Sequence, residues 1–429
     1  MAAQEWEGDF DPMADADERA HLLSVLDSFR SYRRLAHFNG THVRRQAFYS
    51  LPQEHWTLLS KPPFSILDSL SHLDDLIDGN AELAEAIFTA GFKAFVAPTI
   101  DSEWVASIVP LKHAHNEYQV FSTVMDHLNV HTSQADMDKA RSCINQFYRE
   151  WSAAGAAERN KCFTPILSTL DAEYTSRLTS TPTLPKSSLK VLAPGAGLGR
   201  LLLDLSLAGY TVEGNEISYH ELLASSFILN HSASASQFSL APFALHGSNH
   251  LSRTDQFRVF AVPDIHPATA LSASASADRL SMATGDFCVL YGAPAQEAAF
   301  DVLATVFFID TAPNLIRYIE AARNCLKPGG VWVNLGPLLW HHAARGPAGQ
   351  DGDGGGGGAG GGGGGGADRG IGDPGSVELT YEEVVALVQH MGFVMEKSEV
   401  GAIETGYMSN PASMLLNTYK PAFWVARRT

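Results

Sequence analysis

The chain has few of the features that hold a protein together covalently or fix it in a membrane. Its four cysteines, Cys143, Cys162, Cys288 and Cys325, share no paired spacing. That pattern speaks against a disulfide framework and a zinc site and suits reduced thiols. No metal site is expected. No apolar run reaches the roughly 18 residues of a membrane span. The N-terminus lacks the basic start and apolar core of a signal peptide. The expected compartment is the cytosol, with the nucleus as an additional one. Positive charge is also scarce: 30 basic against 47 acidic residues give a net charge of −17. Such a surface argues against nucleic acid or an anionic membrane as the main partner.

What is present suits a globular protein. The apolar share of 45% supports a full core, and 429 residues leave room for two domains or one large domain with an extension. Residues 1–15 form an acidic tail expected to be disordered. Residues 16–180 are expected to be helical. Ile66, Leu70, Leu73 and Ile77 lie on one stripe, and Ser133 caps a helix with Ile144, Phe147 and Trp151 on its apolar side. These stripes are free to cover a site, to form a homodimer face, or both. Thr181-Pro182-Thr183-Leu184-Pro185 marks the entry to an α/β region at 187–429. Within it, residues 352–366 hold 13 of the 37 glycines. This local insertion, taken as 346–376, is expected to be a flexible linker.

The informative stretch is Val191-Leu192-Ala193-Pro194-Gly195-Ala196-Gly197-Leu198-Gly199-Arg200. It predicts a buried strand, a glycine turn and a helix with an apolar face from Leu201 to Leu207. A second strand, Tyr210 to Glu213, runs on to Glu216, which falls 17 residues after Gly199. There a carboxylate can accept bonds from ribose hydroxyls, and the helix amides point at the ligand. This much also fits a dinucleotide. However, the dinucleotide pattern wants a third glycine where Arg200 stands, so the details favour S-adenosyl-L-methionine.

Later strands follow. Phe300 to Ile309 is a continuous apolar run, as a central strand buried on both faces requires. A helix of about 15 residues, Lys327-Pro328-Gly329-Gly330 and a strand at Val331 to Leu335 come next. Gly392-Phe393 opens another strand, and Ala422 to Ala426 closes the set. By fold analogy, a late hairpin separates methyltransferase sheets from dehydrogenase sheets.

These segments resemble the carnosine N-methyltransferase family. The likeness is carried by Pro194 to Leu201, Gly214-Asn215-Glu216, Gly285-Asp286-Phe287 and Phe307-Phe308-Ile309-Asp310-Thr311-Ala312. It extends through Lys327 to Gly330 and Asn334-Leu335-Gly336-Pro337-Leu338-Leu339. Upstream it takes in Arg141-Ser142, Gln146 and Arg149-Glu150-Trp151-Ser152; downstream, Glu378 to Glu382 and Ser413-Met414. It covers about residues 20 to 345 and 376 to the end. The resemblance implies a Rossmann-like class I methyltransferase sheet, with an N-terminal helical region contributing to the cofactor site. It implies S-adenosyl-L-methionine as cofactor and methyl transfer to the imidazole of the histidine in carnosine (β-alanyl-histidine), giving anserine.

Carried over residue by residue, Gly195 and Gly197 approach the cofactor and Glu216 holds its ribose. Asp286 and Phe287 flank the adenine, Gln146 and Arg149 lie over the cofactor, and Val306 stands where the family tends to carry a cysteine. Asp310, His341 and Tyr407 match substrate positions. Without the resemblance the same residues have plainer roles. Gln146 and Arg149 would be a solvated helix face, Asp310 a helix N-cap, His341 a surface residue and Tyr407 a packing aromatic. Two other functions stay open: methylation of histidine in other peptides or proteins, and a non-catalytic cofactor-binding module.

Overall fold

The computed structural model describes residues 12–110, 112–113, 115–274, 276–343 and 370–429. Residues 1–11 of the acidic tail and most of the glycine-rich insertion lie outside the described residues. Residue contacts divide the chain into two units, each discontinuous in sequence. One comprises Met1–Gly155, Ser226–His266 and Met408–Leu416; the other comprises Ala156–Ser225, Pro267–Tyr407 and Asn417–Thr429. Neither coincides with a single stretch such as 16–180 or 187–429.

The first unit is mainly helical. Asp15 caps helix Ala16–Arg30 by accepting from the N–H groups of Asp17 and Glu18. The 26-residue helix Ile66–Gly91 carries the expected stripe, with Leu70, Leu73 and Ile77 buried. A two-stranded antiparallel ribbon, Phe238–Leu240 with Phe260–Val262, belongs to the same unit. Buried Asn80 ties helix to ribbon. Its Nδ2 donates to the Ala241 carbonyl at 3.0 Å, and its Oδ1 accepts the Ala241 N–H at 2.7 Å. One asparagine thus bonds both backbone groups of Ala241, whose carbonyl also accepts the Ala244 N–H at 3.3 Å.

The second unit is built on a seven-stranded sheet. Its strands are β1 (Lys190–Pro194), β2 (Thr211–Glu216), β3 (Leu280–Thr284), β4 (Phe300–Val306), β5 (Leu326–Gly336), β6 (Phe393–Val400) and β7 (Ala422–Arg428). The order across the sheet is β3-β2-β1-β4-β5-β7-β6. The first five strands are parallel and β7 runs antiparallel to both neighbours. The order reverses between β1 and β4, so their carboxyl ends open the crevice where ligands of such sheets bind. Alternation along β4 explains its apolar run. Val302 and Ala304 pack on one face with Cys162, Phe163 and Leu202, and Leu303 packs on the other with Tyr318 and Trp332.

Two elements differ from the sequence reading. β4 stops at Val306 rather than Ile309, because Phe307 takes a left-handed conformation, φ 54°. The following helix is Leu315–Cys325, 11 residues, and its N-cap is Asn314. Asp310 is therefore not the cap of that helix.

The amino end of β4 shows how a buried carboxylate is held for structure. Asp301 is bonded by Arg177 at 2.6 Å, Lys327 at 2.8 Å and the Lys190 N–H at 3.1 Å. Burial favours the neutral acid, but these donors outweigh it and hold the carboxyl below the usual range. A depressed folded pKa gives stability that is present above the unfolded value of about 3.9 and lost as pH falls through the folded value. Asp301→Asn is expected to cost about 3 kcal/mol at neutral pH, as for one partner of a buried pair. Urea unfolding at several pH values checks this: the deficit should shrink as the pH drops below about 4.

Candidate active site

The turn after β1 uses its glycines for different reasons. A Cβ on Gly195, φ +65°, would lie 2.6 Å from the Phe308 ring. A Cβ on Gly197, φ +54°, would meet nothing within 4 Å, so this backbone faces open space. Helix Arg200–Leu207 starts at once from Gly199. Arg200, standing at the third-glycine position, is turned into its own helix by Asp204 at 2.9 Å.

Glu216 ends β2 and reaches back to the turn. Its Oε2 accepts the Gly197 N–H at 3.0 Å, and its Oε1 accepts the N–H groups of Ile217 and Ser218 at 2.9 and 3.0 Å. Burial pushes this carboxyl up, against those three bonds, and no cation contributes. A carboxylate offers about four acceptor directions, so about one remains for a hydroxyl donor. Gly195, Gly197 and Glu216 are thus brought together as expected from the sequence.

Asp286 and Phe287 follow β3. Asp286 caps helix Phe287–Gly292 through Oδ1, accepting from Cys288 and Val289 at 2.7 and 3.2 Å. Its Oδ2 accepts the Ile371 N–H at 2.7 Å. Gly370 allows that approach, since a Cβ there would fall 2.2 Å from the Asp286 carboxyl carbon. The Phe287 ring is buried edge-on against Phe308 and Tyr318, with centroids 5.4 and 5.3 Å apart. Val306 is half-buried at the end of β4, opposite Leu335.

Asp310 lies four residues beyond β4, buried. Its Oδ2 accepts the Leu339 N–H at 3.0 Å, and its carbonyl accepts the His341 N–H at 3.0 Å. Its Oδ1 is buried with no hydrogen-bond partner among the described residues. Burial raises its pKa; the Leu339 N–H, the His341 charge and its own backbone N–H act the other way. The His341 side chain is exposed. Tyr407 is half-buried, its ring 5.3 Å from that of Phe307. Gln146 and Arg149 belong to the other unit, on helix Gln134–Trp151, where Arg149 is buried and bonded to Glu150 at 2.8 Å.

Sequence reading does not single out Phe308, Leu339 or Trp340. Phe308 reads as strand, and Leu339 and Trp340 as ordinary apolar residues. Their parts depend on backbone direction, for which a side-chain pattern carries no signal.

The β3-β2-β1-β4-β5-β7-β6 order, the glycine turn after β1 and the carboxylate after β2 define a Rossmann-like S-adenosylmethionine-dependent methyltransferase. The chain belongs to the carnosine N-methyltransferase family, whose model matches residues 126–429. It is 34% identical to the carnosine N-methyltransferase of Schizosaccharomyces pombe, over 96% of this chain and 97% of the relative. The carnosine N-methyltransferase of Mus musculus is 31% identical, over 96% of this chain and 86% of the relative.

Glu216→Gln keeps the size of the side chain but turns one acceptor into a donor facing a backbone N–H. Titration calorimetry should show S-adenosylmethionine bound about tenfold more weakly or worse, with the circular dichroism of the fold retained.

Proposed function

We propose that this enzyme transfers a methyl group from S-adenosyl-L-methionine to an imidazole nitrogen of the histidine in carnosine, giving anserine. Membership of the family supports the acceptor. The observation that carries the reading is the buried, unpartnered Oδ1 of Asp310 at the carboxyl edge of the sheet. A buried acceptor left open in a folded protein is costly unless a ligand donor fills it.

The residues present fit the cofactor. Gly197 leaves room at the backbone, Glu216 keeps an acceptor direction for a ribose hydroxyl, and Gly195 shapes the turn. Asp286, Phe287 and Val306 are assigned to the adenosyl site by the family resemblance. When bound, S-adenosylmethionine supplies a sulfonium-activated methyl group.

The protein's task is then to align a nucleophile that is largely neutral near pH 7, since the reference imidazole pKa is about 6.5. Asp310 Oδ1 accepts the N–H of one ring nitrogen. That fixes the tautomer and leaves the lone pair of the other nitrogen free to attack. The N–CH3 bond forms as the S–CH3 bond breaks, and positive charge moves from sulfur to the ring. Asp310 stabilises that charge where it develops. His341 and Tyr407 orient the peptide around the ring.

Asp310→Asn presents an amide of the same size that is no longer anionic. Its kcat for carnosine should fall by about 10²-fold or more, the scale for removing one preorganised electrostatic group. The Kd for S-adenosylmethionine should stay within about twofold. Methyl incorporation into carnosine, other histidyl peptides and a cell extract, read by mass spectrometry and NMR, tests the acceptor. Transfer only to protein histidine would replace carnosine in this reading. Cofactor binding without transfer to any histidine would overturn it.

A further inference from the structure

We infer that Trp340 is a positioning residue for Asp310: it holds the chain after β5 so that one carboxylate oxygen is occupied and only the other is offered to the acceptor. The inference rests on Asp310 being the partner of the acceptor ring.

Trp340 sits between the two residues that clasp Asp310. On one side Leu339 donates its N–H to Oδ2; on the other His341 donates its N–H to the Asp310 carbonyl, both at 3.0 Å. For consecutive N–H groups to serve a side chain and a main chain in this way, the residue between them must turn the backbone sharply. Trp340 does so with φ 46°, a left-handed conformation that a bulky side chain adopts only under constraint.

The constraint is visible. The indole is buried in the core cluster with Phe308, Tyr318 and Trp424, and its Nε1–H donates to the Leu379 carbonyl at 3.0 Å. Ala343 returns its N–H to the Trp340 carbonyl at 3.0 Å. Glycine would reach the same φ freely but would lose both anchors. The Trp340 anchor therefore decides which oxygen of Asp310 is free and where it points. A fixed single acceptor selects one ring tautomer and so one nitrogen for methylation.

Trp340→Phe keeps an aromatic ring and removes only the indole donor; Trp340→Ala removes both anchors. In the full-length protein, kcat for carnosine should fall about 5- to 10-fold in Trp340→Phe, the scale of one lost hydrogen bond, and further in Trp340→Ala. The Kd for S-adenosylmethionine should be unchanged, and NMR of the product should show methyl on both ring nitrogens instead of one.

A second measurement needs no turnover. The pH dependence of unfolding, compared between each protein and its Asp310→Asn counterpart, reads the titration of Asp310. Releasing the indole anchor lets the Leu339 N–H move off Oδ2, which weakens a bond that favours the anion, so the midpoint should rise in Trp340→Phe. His341 is the titratable side chain whose charge acts on Asp310 among the described residues, so His341→Gln is carried as a control. An unchanged midpoint and an unchanged isomer ratio, with only thermal stability lowered, would reduce Trp340 to a packing residue. A wild-type enzyme that methylates no histidyl peptide would remove the proposed function while the midpoint still decides the clasp.

Discussion

The left-handed turn at Phe307 is the constraint on which the carboxyl edge of the sheet depends. Its N–H still bonds the Leu335 carbonyl at 2.8 Å, so the ladder with β5 continues up to the break. Gly336 makes the break possible, because a Cβ there would sit 3.2 Å from the Phe307 backbone. Three consequences follow from the change of direction. The Phe307 ring meets Tyr407 and Tyr419, with centroids 5.3 and 5.8 Å away. The Phe308 ring passes beside Gly195 and stacks on Tyr318. Asp310 is carried into the interior, within reach of the Leu339 N–H. A straight strand through Ile309 would send alternate residues to opposite faces and join none of these.

The carboxylates around β4 separate structure from chemistry. Asp301 and Asp310 flank the two ends of the same strand and are both buried. Asp301 is met by two cations and a backbone N–H, and its pKa is lowered. Asp310 and Glu216 accept hydrogen bonds from backbone N–H groups and from no side chain among the described residues, and their pKa values are raised by burial. The first arrangement is satisfied within the protein. The second keeps an acceptor direction in reserve for a donor from outside the chain. Both open carboxylates lie at the carboxyl edge, and the closed one lies at the opposite edge.

Much of this was legible in the sequence because it rests on periodicity and on residues with special backbones. The glycines at 195 and 197, the acid at 216 and the apolar run of β4 each carry a local signal. The helix cap at Ser133 is likewise where the pattern puts it. The failures share a cause. The run from Phe300 to Ile309 reads as unbroken strand, since nothing in a string of apolar residues reveals a reversal of φ at Phe307. The plainer alternative for Asp310, a helix cap, fails because the helix waits for Asn314. The bond from the Ile371 N–H to Asp286 joins residues 85 positions apart, beyond the reach of any local pattern. Long-range backbone partners leave no mark on local composition.

That distant partner belongs to a segment with a wider part in the site. Between Gly370 and Leu379 the chain makes one hydrogen bond to the end of each of three strands' extensions. Ile371 donates to Asp286 after β3, Val377 donates to the Pro313 carbonyl after β4, and Leu379 accepts from Trp340 after β5. Thr380 then caps helix Tyr381–His390 in a reciprocal box with Glu383. The three extensions are otherwise loops, with no ladder to hold them in register. The extensions after β4 and β5 are already joined by Asp310 with Leu339 and His341, and the returning stretch bonds to both and adds Asp286, so Asp286, Asp310 and Trp340 are referred to a common frame rather than to three separate turns. The placement of the Asp310 carboxylate then draws on the sheet as well as on its own neighbours, and that is how a supporting shell keeps a side chain from rearranging.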